Sequence, residues 1–146
     1  MRKFIGVVLL GLLPGTGQAC TYLEPFDISQ IGGAELVLVG KVTDFMPVEN
    51  SWQSALVTVE VDEVLKGEAR GQITLVWNSG LAQGPHEKRA RGRVLIGAMR
   101  GGRIAVTDMT HDARPDLPKI VQPLCGDVWM QPATAGVIRA AKEELR

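Results

Sequence analysis

From Ser54 to Leu65 the chain alternates: Val57, Val59 and Val61 are each followed by a polar residue, Thr58, Glu60 and Asp62. A period of two sends the valines to one face of a strand and the polar side chains to the other. That pattern predicts a sheet with one face against a core and one face in water. Lys66-Gly67-Glu68 ends the strand with turn chemistry.

The neighbouring stretches extend this reading. Glu35-Leu36-Val37-Leu38-Val39-Gly40-Lys41-Val42 is dense in apolar and β-branched residues, as expected for a strand buried on much of both faces. Residues 47–51 interrupt it with a turn. A third strand is expected over 72–77, with Ile73, Leu75 and Trp77 on one side and Asn78-Ser79-Gly80 as the next turn. Residues 81–91 are polar and glycine-containing, hence a loop. Two more strands, 93–99 and 103–109, flank Arg100-Gly101-Gly102, a compact hairpin connection. Pro115, Pro118 and Pro123 make 110–123 a long irregular excursion.

Helices are expected only at the two ends. Residues 20–26 form an extended arm, and 27–35 a short helix capped by Asp27 or Ser29. Over 134–145, Val137, Ile138, Ala141 and Leu145 share one helical face, Thr134 caps it, and Lys142-Glu143-Glu144 face water. The fold class is therefore mainly β: a small five-stranded OB-like Greek-key barrel with a short N-terminal helix and a C-terminal helix. A β-sandwich is the alternative.

The first residues carry a different signal. Arg2 and Lys3 precede an apolar run from Phe4 to Leu13; Pro14 and Gly15 end it, and Gly17-Gln18-Ala19 places small residues where signal peptidase reads. Residues 1–19 are expected to be a secretory signal peptide, leaving 20–146 as one OB-like domain in the periplasm or outside the cell. The run is too short to span a bilayer, which takes about 20 residues, so no membrane span is expected. Without Arg2 and Lys3, 14 Lys and Arg stand against 16 Asp and Glu, a balance that gives no reason to expect a nucleic-acid partner.

Cys20 and Cys125 are the only cysteines. In an exported chain an even pair reads as one disulfide. Closing a loop of about 100 residues stabilises a fold by roughly 4–5 kcal/mol in the chain-entropy account. The competing reading is a lipid anchor, since a cysteine at the mature N-terminus is what lipoprotein processing produces. Gly17 and Gln18 depart from the usual residues at such a site, and lipidation would leave Cys125 unpaired.

Nothing in the chain assembles a nucleophile, a base and an oxyanion donor, so an enzyme is not expected, nor a metal of its own, nor a cofactor. His86 and His111 are loop residues without a ligand at metal-site spacing. Asp62-Glu63, and Asp108 with Asp112, are carboxylate pairs at strand ends, where they are ordinary surface groups; Ser79 lies in a turn, not in a nucleophile elbow. The stretch 86–93 gathers Lys88, Arg89, Arg91 and Arg93, which reads as a solvated loop before it reads as a polyanion site. Trp52 and Trp77 could stack on sugars, although an inward tryptophan on a strand belongs more often to the core.

Four stretches together resemble the netrin-like domains, which include the tissue inhibitors of metalloproteinases and bacterial exported proteins. They are Cys20-Thr21-Tyr22, the strand at 34–42, the strand ending Val64-Leu65-Lys66-Gly67, and Cys125 followed by Trp129 and a helix. The resemblance implies an OB-like barrel with its N-terminal arm tied to the body by disulfide. It also implies a protease-binding arm of Cys20, Thr21 and Tyr22, in which the Cys20 α-amino and carbonyl groups chelate a protease zinc and Thr21 enters the specificity pocket. Those inhibitors begin Cys-x-Cys, whereas Tyr22 stands here at the second cysteine's place. Two functions follow as expectations. The first is an exported non-enzymatic binding module with a disulfide-tethered arm and another exported or envelope protein as partner. The alternative is an inhibitor of a secreted zinc metalloprotease acting through Cys20.

Overall fold

The alternation in residues 54–65 becomes the second of five strands that close into a barrel. A computed structural model describes residues 20, 22–49, 51, 53–79, 84–100, 114, 116–123 and 125–146. The signal segment 1–19, Thr21, Trp52, Asp108, His111, Asp112 and the strand expected at 103–109 with Gly101-Gly102 lie outside those residues.

The strands are β1 (Leu36–Pro47), β2 (Ser54–Lys66), β3 (Gln72–Asn78), β4 (Arg93–Met99), β5 (Lys119–Ile120) and β6 (Met130–Pro132); a 3₁₀ turn, Ile28–Gly33, precedes them and helix α1 (Ala135–Glu144) follows. The sheet runs β1-β2-β3-β5-β4, and β4 returns to pair with β1, which closes the ring. All pairings are antiparallel except β3 with β5. This is the OB-like barrel with a helix at each end, and β6 is appended to β4.

The apolar run in β1 is buried on both faces for a specific reason. Leu36 and Leu38 point into the barrel with Val57, Val59, Leu75, Trp77 and Ile96. Val37 and Val39 point outward and are covered by Ile31, Trp129 and Ala141. The same division holds on β4, where Val94, Ile96 and Ala98 face inward and Leu95 faces out. Gly97 continues the outward series. A Cβ there would lie 2.8 Å from Ile31 Cδ1 and 3.0 Å from Trp129 Cε3, so the outer layer can sit this close only over a bare backbone. At the β1–β2 crossing, a Cβ on Gly40 would collide with the Glu60 carbonyl oxygen and lie 2.6 Å from Val59 Cγ1.

Three expectations need correction. Residues 110–123 are not irregular throughout, because Lys119–Ile120 forms β5 and Ile120 fills the barrel interior. Pro118, which cannot donate, still accepts at its carbonyl from Val76 N at 2.9 Å, so a proline borders the strand without breaking its ladder. The short strand β6 was not anticipated. Three residues of mixed polarity have no readable period, and β6 exists because β4 offers it an edge. Finally, β1 runs on to Pro47. Beyond Lys41 it leaves β4 and pairs with β2 alone, with register irregularities at Val37/Leu38, Val39/Gly40 and Val42/Asp44.

Both helical ends follow their caps. Asp27 Oδ1 accepts from Ser29 N at 3.0 Å, and Thr134 Oγ1 from Val137 N at 3.3 Å. Val137, Ile138, Ala141 and Leu145 all pack on the outer layer, as the helical period requires. No helix among the described residues is long and apolar enough to cross a membrane.

Candidate functional site

The N-terminal arm meets the body along the 125–129 segment. Cys20 is disulfide-bonded to Cys125, with 5.4 Å between their Cα atoms. Glu24 forms an isolated parallel bridge with Gly126: its N–H donates to the Cys125 carbonyl at 2.9 Å, and its carbonyl accepts from Asp127 N at 2.8 Å. Two residues later the Phe26 ring packs on Trp129, with centroids 5.4 Å apart. The arm is thus held by a covalent bond, a pair of backbone hydrogen bonds and an aromatic contact.

Between these anchors Tyr22 is 70% exposed. With Met46 it forms the pair of large apolar side chains left exposed among the described residues. Of the three arm residues singled out in the sequence, the structure therefore fixes Cys20 and turns Tyr22 to solvent, while Thr21 lies outside the described residues.

The receiving segment is itself braced. Asp127 accepts from both guanidinium nitrogens of Arg89, Nη2 at 2.7 Å, and its Oδ1 also accepts from Val128 N at 2.8 Å. Hydrogen bonding to Asp127 raises the Arg89 pKa above the usual arginine value, against the opposing effect of partial burial. Sequence inspection missed this brace because Arg89 and Asp127 lie far apart along the chain.

The positive stretch 86–93 is largely committed to such pairs. Arg89 faces Asp127, Arg91 Nη2 donates to Glu87 Oε1 at 2.7 Å, and Arg93 Nε donates to Asp62 Oδ2 at 2.7 Å. Glu63 in turn accepts from Lys142 Nζ at 2.7 Å. The carboxylate pair Asp62-Glu63 therefore fastens β4 and α1 to β2. His86 is exposed, with its ring 6.3 Å from that of Trp77. Among the described residues no group of three or more His, Cys, Asp or Glu is placed to hold a metal ion.

The remaining candidates are structural. Trp77 is 2% exposed, and its Nε1 donates to Gln122 Oε1 at 2.7 Å, so it is a core residue with a satisfied indole. Ser79 is buried, and its hydroxyl donates to the Gln53 carbonyl at 3.3 Å. Lys119 on β5 is also buried, and burial pushes its ammonium below the usual lysine range.

Two open grooves flank α1. One, of about 590 Å³, lies beside the arm and is lined by Pro25, Phe26, Asp27, Ile28, Gln131, Gly136, Val137 and Ala140. The other, of about 510 Å³, is lined by Arg93 and by Ala135, Ile138, Arg139, Lys142, Glu143 and Arg146. The sequence matches no protein-family model and no curated protein.

Proposed function

We propose that this is an exported, non-enzymatic binding module, periplasmic or secreted, that engages another exported or envelope protein through its tethered arm. One contrast supports the reading. Cys20, Glu24 and Phe26 are each fastened to the 125–129 segment, yet Tyr22 among them is 70% exposed. A tyrosine held this way supplies a partner with a large amphipathic contact. Because the arm is already ordered, binding costs less conformational entropy. The disulfide suits an oxidising compartment.

A disulfide-tied arm on an OB-like barrel is also what the likeness to netrin-like domains implies, and it supports a narrower version in which the partner is a secreted zinc protease. In that version the α-amino group of Cys20, freed by signal cleavage, must be uncharged to donate its lone pair to the metal.

The test uses mature protein beginning at Cys20 as bait for envelope proteins of its source, beside the Tyr22→Ser variant. Tyr22→Ser is expected to weaken capture about thirtyfold, the loss of one aromatic anchor, without moving the thermal midpoint. Equal capture by both baits would remove the arm from the interface. The zinc-protease version is judged separately, against a panel of secreted zinc proteases. Inhibition that vanishes when one residue is added before Cys20 supports it; no inhibition at micromolar concentration rejects it.

A further inference from the structure

Arg139 and Lys142 on α1, and Arg146 just past its C-terminal end, line one groove. Arg93 joins them in the groove of about 510 Å³, whose apolar lining is Ala135 and Ile138. Two of these four cations are already in use: Arg93 is paired with Asp62 and Lys142 with Glu63, each at 2.7 Å. Those pairs link β2 to β4 and to α1 beside the groove. Among the described residues neither Arg139 nor Arg146 forms an ion pair, and Glu143 is the one carboxylate side chain in the groove lining.

Helix electrostatics accounts for part of this arrangement. Cations in or just past the last turn offset the negative end of the helix dipole, which explains Lys142 and Arg146. Arg139 sits mid-helix, where that effect has faded, beside the half-buried Ile138.

We infer that this groove binds an extended acidic peptide segment of a partner protein, with carboxylates on Arg139 and Arg146 and an apolar side chain over Ile138. The spacing selects the ligand. Arg139 to Glu144 rises about 7.5 Å along α1, and the turn at Leu145 carries the chain on to Arg146, so the two arginine Cα atoms stand roughly 10 Å apart. In a polyproline II chain, residues three apart fall on the same side at about 9.3 Å, so a Glu-x-x-Glu segment matches the two guanidinium groups. A single small anion is too short to reach both. Single-stranded nucleic acid is disfavoured because, among the described residues, no aromatic side chain lines the groove to stack a base. The inference concerns a different face from the arm and stands whether or not the arm binds.

The experiment titrates the blocked peptide Pro-Glu-Pro-Val-Glu-Pro into isotope-labelled mature protein at low salt. Amide shifts are expected to move at Arg93 and along 135–146, with affinity falling as salt screens the ion pairs. The double variant Arg139→Gln/Arg146→Gln should bind about tenfold more weakly, the loss of two exposed charge contacts. The exposed pair Arg70→Gln/Lys88→Gln, with the same change in net charge, should bind as the parent does. Unchanged spectra elsewhere verify that each variant is folded. Three results would each overturn the inference: no binding at millimolar peptide, equal affinity in the Arg139/Arg146 variant, or equal binding of Pro-Glu-Glu-Val-Pro-Pro or a short oligonucleotide.

Discussion

The barrel interior and the layer outside it contain similar apolar residues, but they are assembled by different rules. Inside, each strand contributes alternate side chains, so Val57 and Val59, Leu36 and Leu38, Val94 and Ile96 meet through local period and sheet closure. Outside, the packing of Ile31, Val37, Leu95, Trp129 and Ala141 joins the two ends of the chain over one patch of β1 and β4. No local pattern selects those partners. The interior should therefore fail as a unit when one inward position is spoiled, whereas the outer layer should loosen while the barrel survives.

The largest effect is expected at Val59, which is fully buried. Burying a valine is worth about 1.5–3 kcal/mol, and placing an unpaired carboxylate there adds a desolvation cost of several more. Val59→Asp should unfold the protein, while Glu60→Gln on the wet face should stay within about 0.5 kcal/mol in urea denaturation. Equal tolerance at both positions would erase the distinction between the faces.

Next comes Cys125→Ser. Opening a bridge between residues 105 apart should cost up to about 5 kcal/mol. Hydrogen exchange should show protection lost first at Glu24 and Asp127, with β2 and β3 still protected. Simultaneous loss throughout would mean that the two regions are one cooperative unit.

Gly97→Val probes the contact between them. The added side chain must displace Ile31 and Trp129, an overpacking cost of about 1–3 kcal/mol. Near-ultraviolet circular dichroism should lose its Trp129 contribution before far-ultraviolet dichroism changes.

Trp129→Phe should have the smallest effect, about 1 kcal/mol or less in the denaturation midpoint. The indole Nε1 is buried without a hydrogen-bond partner among the described residues, so removing it relieves a desolvated donor and offsets part of the lost ring area. A loss of several kcal/mol would show that the N–H is satisfied in solution.

The same contrast explains what could be read from the chain. The valine alternation of β2, the doubly buried run of β1 and the Thr134 cap are local signals, and each element lies where its residues place it. Pairing the only two cysteines was likewise legible. Strands β5 and β6 were not, because two or three residues carry no period and form only on an edge supplied by distant strands. At the candidate site, sequence pointed to Cys20 and Tyr22. It could not show that Glu24 and Phe26 fasten the arm, nor that Arg89 braces Asp127, since all three partners lie about 40 to 100 residues away.

Every anchor of the arm is made late in synthesis. A polypeptide emerges N-terminus first, and Cys125, Gly126 and Trp129 follow Cys20 by 105 residues or more. The strands β1 to β4 have all appeared before the arm has anything to hold. The earliest of the described residues are thus the last secured, and throughout that interval the Cys20 thiol is open to capture by another molecule. On order of synthesis alone, a mixed disulfide at Cys20 is the misassembly to expect, and slow oxidation at high chain concentration is the condition that would favour it.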